Sequence, residues 1–142
     1  MKTLEENKAI VSRFNKEFIE EGNEEVFEQI VDEHFVFHEH LHAGTEGREA
    51  YRNFFHRLMK LPNSHIKVTI DDFVAEGDRV VIQKIYTITA KVIGDEKGDS
   101  FVTEINAIEI IHLKDEKYIE CWNLIDSEDV GMNVILEELS VF

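Results

Sequence analysis

Asp126 stands four residues after Trp122 in the stretch 117–126, whose period of two marks a β-strand, so Glu120, Trp122, Leu124 and Asp126 share one face. An acid beside an indole on an inward face sits in apolar surroundings. Such surroundings disfavour the carboxylate charge and raise its pKa, which suits a group that takes a proton from a carbon next to a carbonyl and returns it. The competing role is structural: an aspartate also ends strands and caps helices, and a helix starting at Ser127-Glu128 would need a cap.

The histidines offer a second chemistry. His38, His40 and His42 alternate, and His34 precedes them; in an extended chain His-x-His spacing can hold zinc or iron. A third ligand would have to come from His56, Glu39 or Asp126, and no spacing selects one. We therefore read this stretch as a polar loop with histidines at a pocket and expect no metal. His112 lies near a hairpin turn while Asp126 ends the next strand, about 20 Å away at about 3.3 Å per residue, so His112 reads as a residue of the sheet edge or the pocket mouth. Lys84 shares parity with Val80, Ile82, Tyr86 and Ile88, and its stem is expected to carry the amine out to solvent. Trp122, Phe54, Phe55, Phe37 and Tyr86 can line a pocket, although most of the ten phenylalanines must be plain core. With no phosphate-binding glycine loop, Gly-x-Ser-x-Gly elbow or Cys/His nucleophile pair, hydrolase and nucleotide-binding readings drop out.

These side chains must be held by a single domain, residues 1–142. The composition, 43% hydrophobic and 32% charged, can bury a core. Fifteen Lys+Arg against thirty Asp+Glu leave a net charge of −15, which repels nucleic acid and anionic membranes. Cys121 is the only cysteine, so no intrachain disulfide forms, and a cytoplasmic location is expected. Thr3-Leu4-Glu5-Glu6 reads as a capping box opening a helix with Val11, Phe14 and Phe18 on one stripe and a stop near Gly22. Asn23 caps a second helix, Phe35-Val36-Phe37-His38 is β-prone, and a third helix runs from Thr45 to Pro62. From Ser64 four strands follow, with a bulge at Asp71-Asp72 where the parity switches and turns at 76–79, 94–98 and 114–117. A tail with Val130, Met132, Val134 and Leu139 reads as a last helix. Both parities of the strand at 99–113 carry large apolar residues, so both its faces are expected to be covered, one by helices and one by a second subunit.

The order helix, helix, strand, helix, then a long meander resembles the nuclear transport factor 2-like (cystatin-like α+β) superfamily. Gly44-Thr45-Glu46-Gly47-Arg48, then Ala75-Glu76-Gly77-Asp78-Arg79-Val80-Val81, then Asp115-Glu116-Lys117-Tyr118-Ile119-Glu120-Cys121-Trp122 and Asp126 are similar to its SnoaL-like polyketide cyclase family. The resemblance implies a cone-shaped α+β fold: a curved antiparallel sheet packed on three N-terminal helices around an apolar pocket. It also implies a cofactor-independent cyclase or isomerase of a small apolar carbonyl compound, with Asp126 as the proton shuttle and His112 as a second matching position. His38, His56, Trp122, Tyr86 and Phe54 would bind a small apolar or aromatic ligand, and the sheet face would make a homodimer. Two positions depart from the family pattern: Tyr86-Thr87-Ile88-Thr89 replaces a Gly-Thr-His string, and Cys121 replaces a histidine before the tryptophan. The alternative on the same fold is a non-catalytic domain that binds a small ligand.

Overall fold

A computed structural model describes residues 3–38, 46–59, 64–91 and 100–126. Helix α1 (Leu4–Arg13) opens at the anticipated cap, where Thr3 Oγ1 accepts the Glu6 backbone N–H at 3.1 Å. The helix then widens into a π-helical segment, Phe14–Glu20. Asn15 Nδ2 donates to the Val11 carbonyl at 2.9 Å, taking the acceptor that the Asn15 backbone N–H would use in an α-turn. Gly22, at φ +74°, lets the chain turn away without the Cβ clash of a left-handed residue. Helix α2 (Glu24–Ile30) is capped by Asn23, whose Oδ1 accepts from the Glu25 N–H. Strand β1 (Val31–His38) follows, and helix α3 (Arg48–Met59) buries Tyr51, Phe55 and Leu58. Thr45, Pro62, His40, His42, the turn at 94–98 and the tail after Asp126 lie outside the described residues.

Strands β2 (His65–Glu76), β3 (Arg79–Lys91), β4 (Ser100–Lys114) and β5 (Lys117–Ile125) form the expected antiparallel meander. The sheet is nevertheless mixed. Its order is β1-β5-β4-β3-β2, with β1 parallel to β5 along the outside of the meander. The β-prone stretch seen at Phe35–His38 thus begins earlier, at Val31, and is a fifth strand of the sheet. The register shifts between Ile70 and Asp72, as the parity switch indicated, and again between His112 and Leu113. Extra residues at such points bend a strand and increase its twist, and the sheet curves around the helices.

The two faces of the sheet are unlike. Thr103, Ile105, Ala107, Glu109, Ile111 and Leu113 of β4 are buried under the helices, whereas Val102, Ile108 and Ile110 are exposed. The inner space is filled largely by rings: Phe14 contacts Phe18, Phe27, Tyr51, Phe55 and Tyr118 at centroid distances of 4.8–6.2 Å. Each fully buried Phe side chain contributes on the order of 2 kcal/mol by leaving water. Among the described residues no helix is long and apolar enough to cross a membrane.

Candidate functional site

Trp122 and Asp126 face away from the helices. Register alone settles this: Cys121 pairs with the buried Ile111 and Trp122 with the exposed Ile110, so the parity that carries Trp122, Leu124 and Asp126 is the outer one. Alternation in the sequence showed which residues share a face of β5 but not which face is inside, because Cys121 and Ile125 on one side are as apolar as Trp122 and Leu124 on the other. Asp126 is exposed at the end of β5, with its backbone N–H on the Asn106 carbonyl at 3.0 Å. It lines an open groove of about 660 Å³ with Gln83, Asn106, Ile108 and Leu124.

His38 also lies on the outer face, and it is Trp122's partner. The rings stack at 4.9 Å with planes 6° apart, and Glu120 accepts from His38 Nε2 at 2.7 Å. Since a carboxylate can only accept, that nitrogen carries the hydrogen. The Arg79 guanidinium lies 5.4 Å from the indole centroid. His112 pairs in register with both Arg79 and Glu120, so it belongs to this outer row, and Asp126 lies six residues further along the strands, about 20 Å away. His56 is elsewhere again: its Nε2 meets Glu24 Oε1 at 2.6 Å on the helical side. Phe54 packs on Phe37 and Phe55. The seven predicted site residues are therefore split: Asp126, His112, His38 and Trp122 lie on the outer face of the sheet, and Tyr86, Phe54 and His56 on the helical side.

The inner face holds the concentration of ionisable groups. Lys84 of β3 is 0% exposed and Glu109 of β4 is 1% exposed, and the two form an ion pair. This corrects the expectation that Lys84 reaches solvent: its amine is held within, between Asn15 and Glu109. Nζ donates to Asn15 Oδ1 at 2.8 Å, and lies 4.6 Å from the Tyr86 ring centroid. Asn15 is positioned by the π-helical segment, which turns its amide toward β3. Glu109 accepts from the Tyr86 hydroxyl at 3.3 Å on one oxygen and from the Cys121 thiol at 3.4 Å on the other.

Tyr51 from α3, Tyr118 of β5 and Asn123 of β5 complete the surroundings of this carboxylate; Asn123 is its cross-strand partner. Burial pushes the hydroxyls of Tyr51, Tyr86 and Tyr118 well above the usual phenol range, and the Glu109 charge adds to the shift in each. The Cys121 thiol is raised by burial and then by Glu109, with Lys84 and Tyr51 opposing. All four groups therefore stay protonated and can donate to an oxygen.

Of this cluster only Tyr86 was read from the sequence as a site residue. The available signal was a charged residue at an inward position of an apolar strand, Lys84 between Ile82 and Tyr86 and Glu109 between Ala107 and Ile111. One such residue can snorkel; two on adjacent strands are the mark of a buried pair. Tyr51, Tyr118 and Asn15 gave no signal, since each is compatible with a core or helix face. Among the described residues no group of three or more His, Cys, Asp or Glu is arranged to hold a metal ion.

No curated protein matches the chain. Solved structures do: wild-type IdmH from Streptomyces antibioticus, 19% identical, superposes with a TM-score of 0.69 over 92% of this chain and 98% of that one. TsrD from Streptomyces laurentii, 17% identical, gives 0.68 over 100% of both chains. An epoxide hydrolase of LEH-like type from Mycobacterium tuberculosis, 15% identical, gives 0.68 over 97% of both. At such identities the likeness is one of fold, the nuclear transport factor 2-like α+β architecture. The sequence profile of the SnoaL-like polyketide cyclase family matches residues 9–131, which takes in every described helix and strand apart from the first turns of α1, and the chain belongs to that family.

Proposed function

We propose that this protein is a cofactor-independent cyclase or isomerase that moves a proton on a small apolar carbonyl compound, with Glu109 as the proton carrier. The observation that carries this reading is the Lys84–Glu109 pair, enclosed on the inner face with Tyr86 and Cys121 donating to the carboxylate. Taking two charges out of water is costly, and an apolar pair of similar volume is often as stable or more so. A fold that keeps such a pair, with four further ionisable groups around it, has the arrangement expected of an acid/base centre.

In the proposed step a Glu109 oxygen takes the proton from the carbon next to the carbonyl, and the electron pair of the broken C–H bond moves to the carbonyl oxygen. The Lys84 ammonium lies beside the centre and favours the added negative charge. Returning the proton to a different carbon completes an isomerisation. Attack of the enolate carbon on a second carbonyl forms the new C–C bond, and the proton passes to the resulting alkoxide, completing a ring closure.

The family resemblance assigns the proton to Asp126, which would act at the open outer groove; the two assignments are separable. Exchange of the α-protons of 2-tetralone for deuterium in D₂O, followed by mass spectrometry, is expected to be accelerated by the wild-type protein. Glu109→Gln should lower that rate about 100-fold or more, in the range of a lost general base, while Asp126→Asn should leave it within about threefold. The opposite pattern moves the chemistry to Asp126. No acceleration by the wild type favours the non-catalytic, ligand-binding alternative, to which the departures at Thr87-Ile88 and Cys121 also lean.

We further propose a homodimer through the outer sheet face. Val74, Val102, Ile108 and Leu124 are 45–62% exposed there, and Ile110 lies between them at 36%. An apolar face of this extent is what a second copy would cover.

A further inference from the structure

At one end of the sheet the β2–β3 turn at 77–78 and the β4–β5 turn at 115–116 lie beside the first turns of α1, and the Leu113 N–H ties the two by donating to the Asp78 carbonyl at 2.8 Å. Between them is an open groove of about 530 Å³, lined by Glu6 and Asn7 of α1, by Asp78, and by Lys114, Asp115 and Glu116. It holds four carboxylates and one ammonium. Exposed acids are ordinary surface, but Asn7 is not exposed. At 3% exposure it shares the inward stripe of Val11, Phe14 and Phe18, so its carboxamide is directed into the groove, where it has no hydrogen-bond partner among the described residues. Buried polar groups are nearly always paired, and this one points to a partner supplied from outside. The far wall is strained as well. Asp115 and Glu116 both hold positive φ, a conformation that non-glycine residues keep where their side chains are needed in place.

We propose that this groove binds a linear polyamine, an aliphatic chain carrying several ammonium centres. The site is independent of the reaction proposed for Glu109. Asn7 Oδ1 accepts from the innermost ammonium, which has only donors to offer, and the Asp78 and Asp115 carboxylates pair with centres nearer solvent, while Glu6 and Glu116 add to the negative field. Among the described residues no group of three or more His, Cys, Asp or Glu is arranged to hold a metal ion, so these acids are spread along the groove. A divalent ion needs its oxygens gathered at one point, whereas a polyamine spreads its charges along a chain and matches acids spread likewise. Leu113, buried beside them, gives the methylene groups an apolar wall.

The test is isothermal titration calorimetry of the full chain with spermidine, an aliphatic triamine, at physiological ionic strength, where saturable binding is expected. Asp115→Asn keeps a residue type that tolerates positive φ, and it should weaken spermidine by about tenfold, as should Asp78→Asn. Asn7→Leu should weaken it by a similar factor while the melting temperature stays level or rises, because the carboxamide removed has no partner in the free protein. Glu25→Gln with Glu33→Gln takes two charges from exposed positions on α2 and β1, and should leave the affinity within about twofold. Equal weakening by that control overturns the site, and so does magnesium binding as tightly as spermidine, since either shows only the general attraction of an acidic chain for cations. Spermidine affinity unaltered by Asn7→Leu overturns it too, and a fall in melting temperature alongside shows the carboxamide to be structural. Trilysine binding more tightly than spermidine overturns the assignment to a free polyamine in favour of a basic peptide.

Discussion

Removing either charge of the Lys84–Glu109 pair leaves the other buried without a counter-ion. Lys84→Met is therefore expected to destabilise the fold by about 3–5 kcal/mol, read from urea unfolding, far more than the loss of a pair with one partner in solvent such as Lys16–Glu20. The protons held inside give a second prediction. The unfolded chain releases its thiol and phenol protons near 9.0 and 10.0, while Cys121, Tyr51, Tyr86 and Tyr118 hold theirs to higher pH when folded. Raised folded pKa values leave stability complete below about pH 9. Stability then falls as pH rises through the window, by up to about 1.4 kcal/mol per pH unit for each group. Melting temperatures from about pH 8 to about pH 11 should decline, and a flat profile would contradict this burial. At this scale the sequence yields residue types and parity but not depth. Asp126 and Trp122 have the right spacing for a shared face, yet nothing in the alternation of β5 distinguishes inside from outside. The pairing of Lys84 with Glu109 depends on a register that only the folded sheet fixes.

The elements themselves were largely legible, because their limits are set by local chemistry. Thr3 and Asn23 cap where side-chain oxygens can accept backbone N–H groups, and the bulge after Ile70 lies where the apolar parity switches. The turn at Asp115-Glu116 was also evident, but its strain was not: both residues are at positive φ, 52° and 68°, between the paired Lys114 and Lys117. That geometry favours Asn-Gly, so Asp115→Asn with Glu116→Gly should raise stability by about 1 kcal/mol, measured as a shift in the urea midpoint at constant slope. The π-helical segment was illegible, since its cause is one side chain, Asn15, that bonds both to Val11 and to a lysine on a distant strand. The parallel pairing of β1 with β5 escaped for a similar reason. It joins chain segments far apart in sequence, and β1 is short and bounded by helices that carry the stronger signal.

For the whole molecule, a net charge of −15 and an apolar outer sheet face pull in opposite directions. Two copies bring about 30 negative charges together, so salt should strengthen the proposed dimer by screening them. Sedimentation equilibrium is expected to show a dimer that tightens with salt, and Ile110→Glu, in the middle of the face, should give a monomer that remains folded. A wild-type monomer at every salt concentration would contradict the assignment. The same separation of fold from activity applies to the centre of the protein. Replacing the buried pair by apolar residues, Lys84→Met with Glu109→Leu, removes both charges together, so stability should stay within about 2 kcal/mol of the wild type. The most direct measurement is the rate of α-proton exchange of 2-tetralone by this double variant. A folded protein that exchanges no faster than buffer is the predicted result, and one that exchanges at the wild-type rate would contradict the placing of the reaction at Glu109.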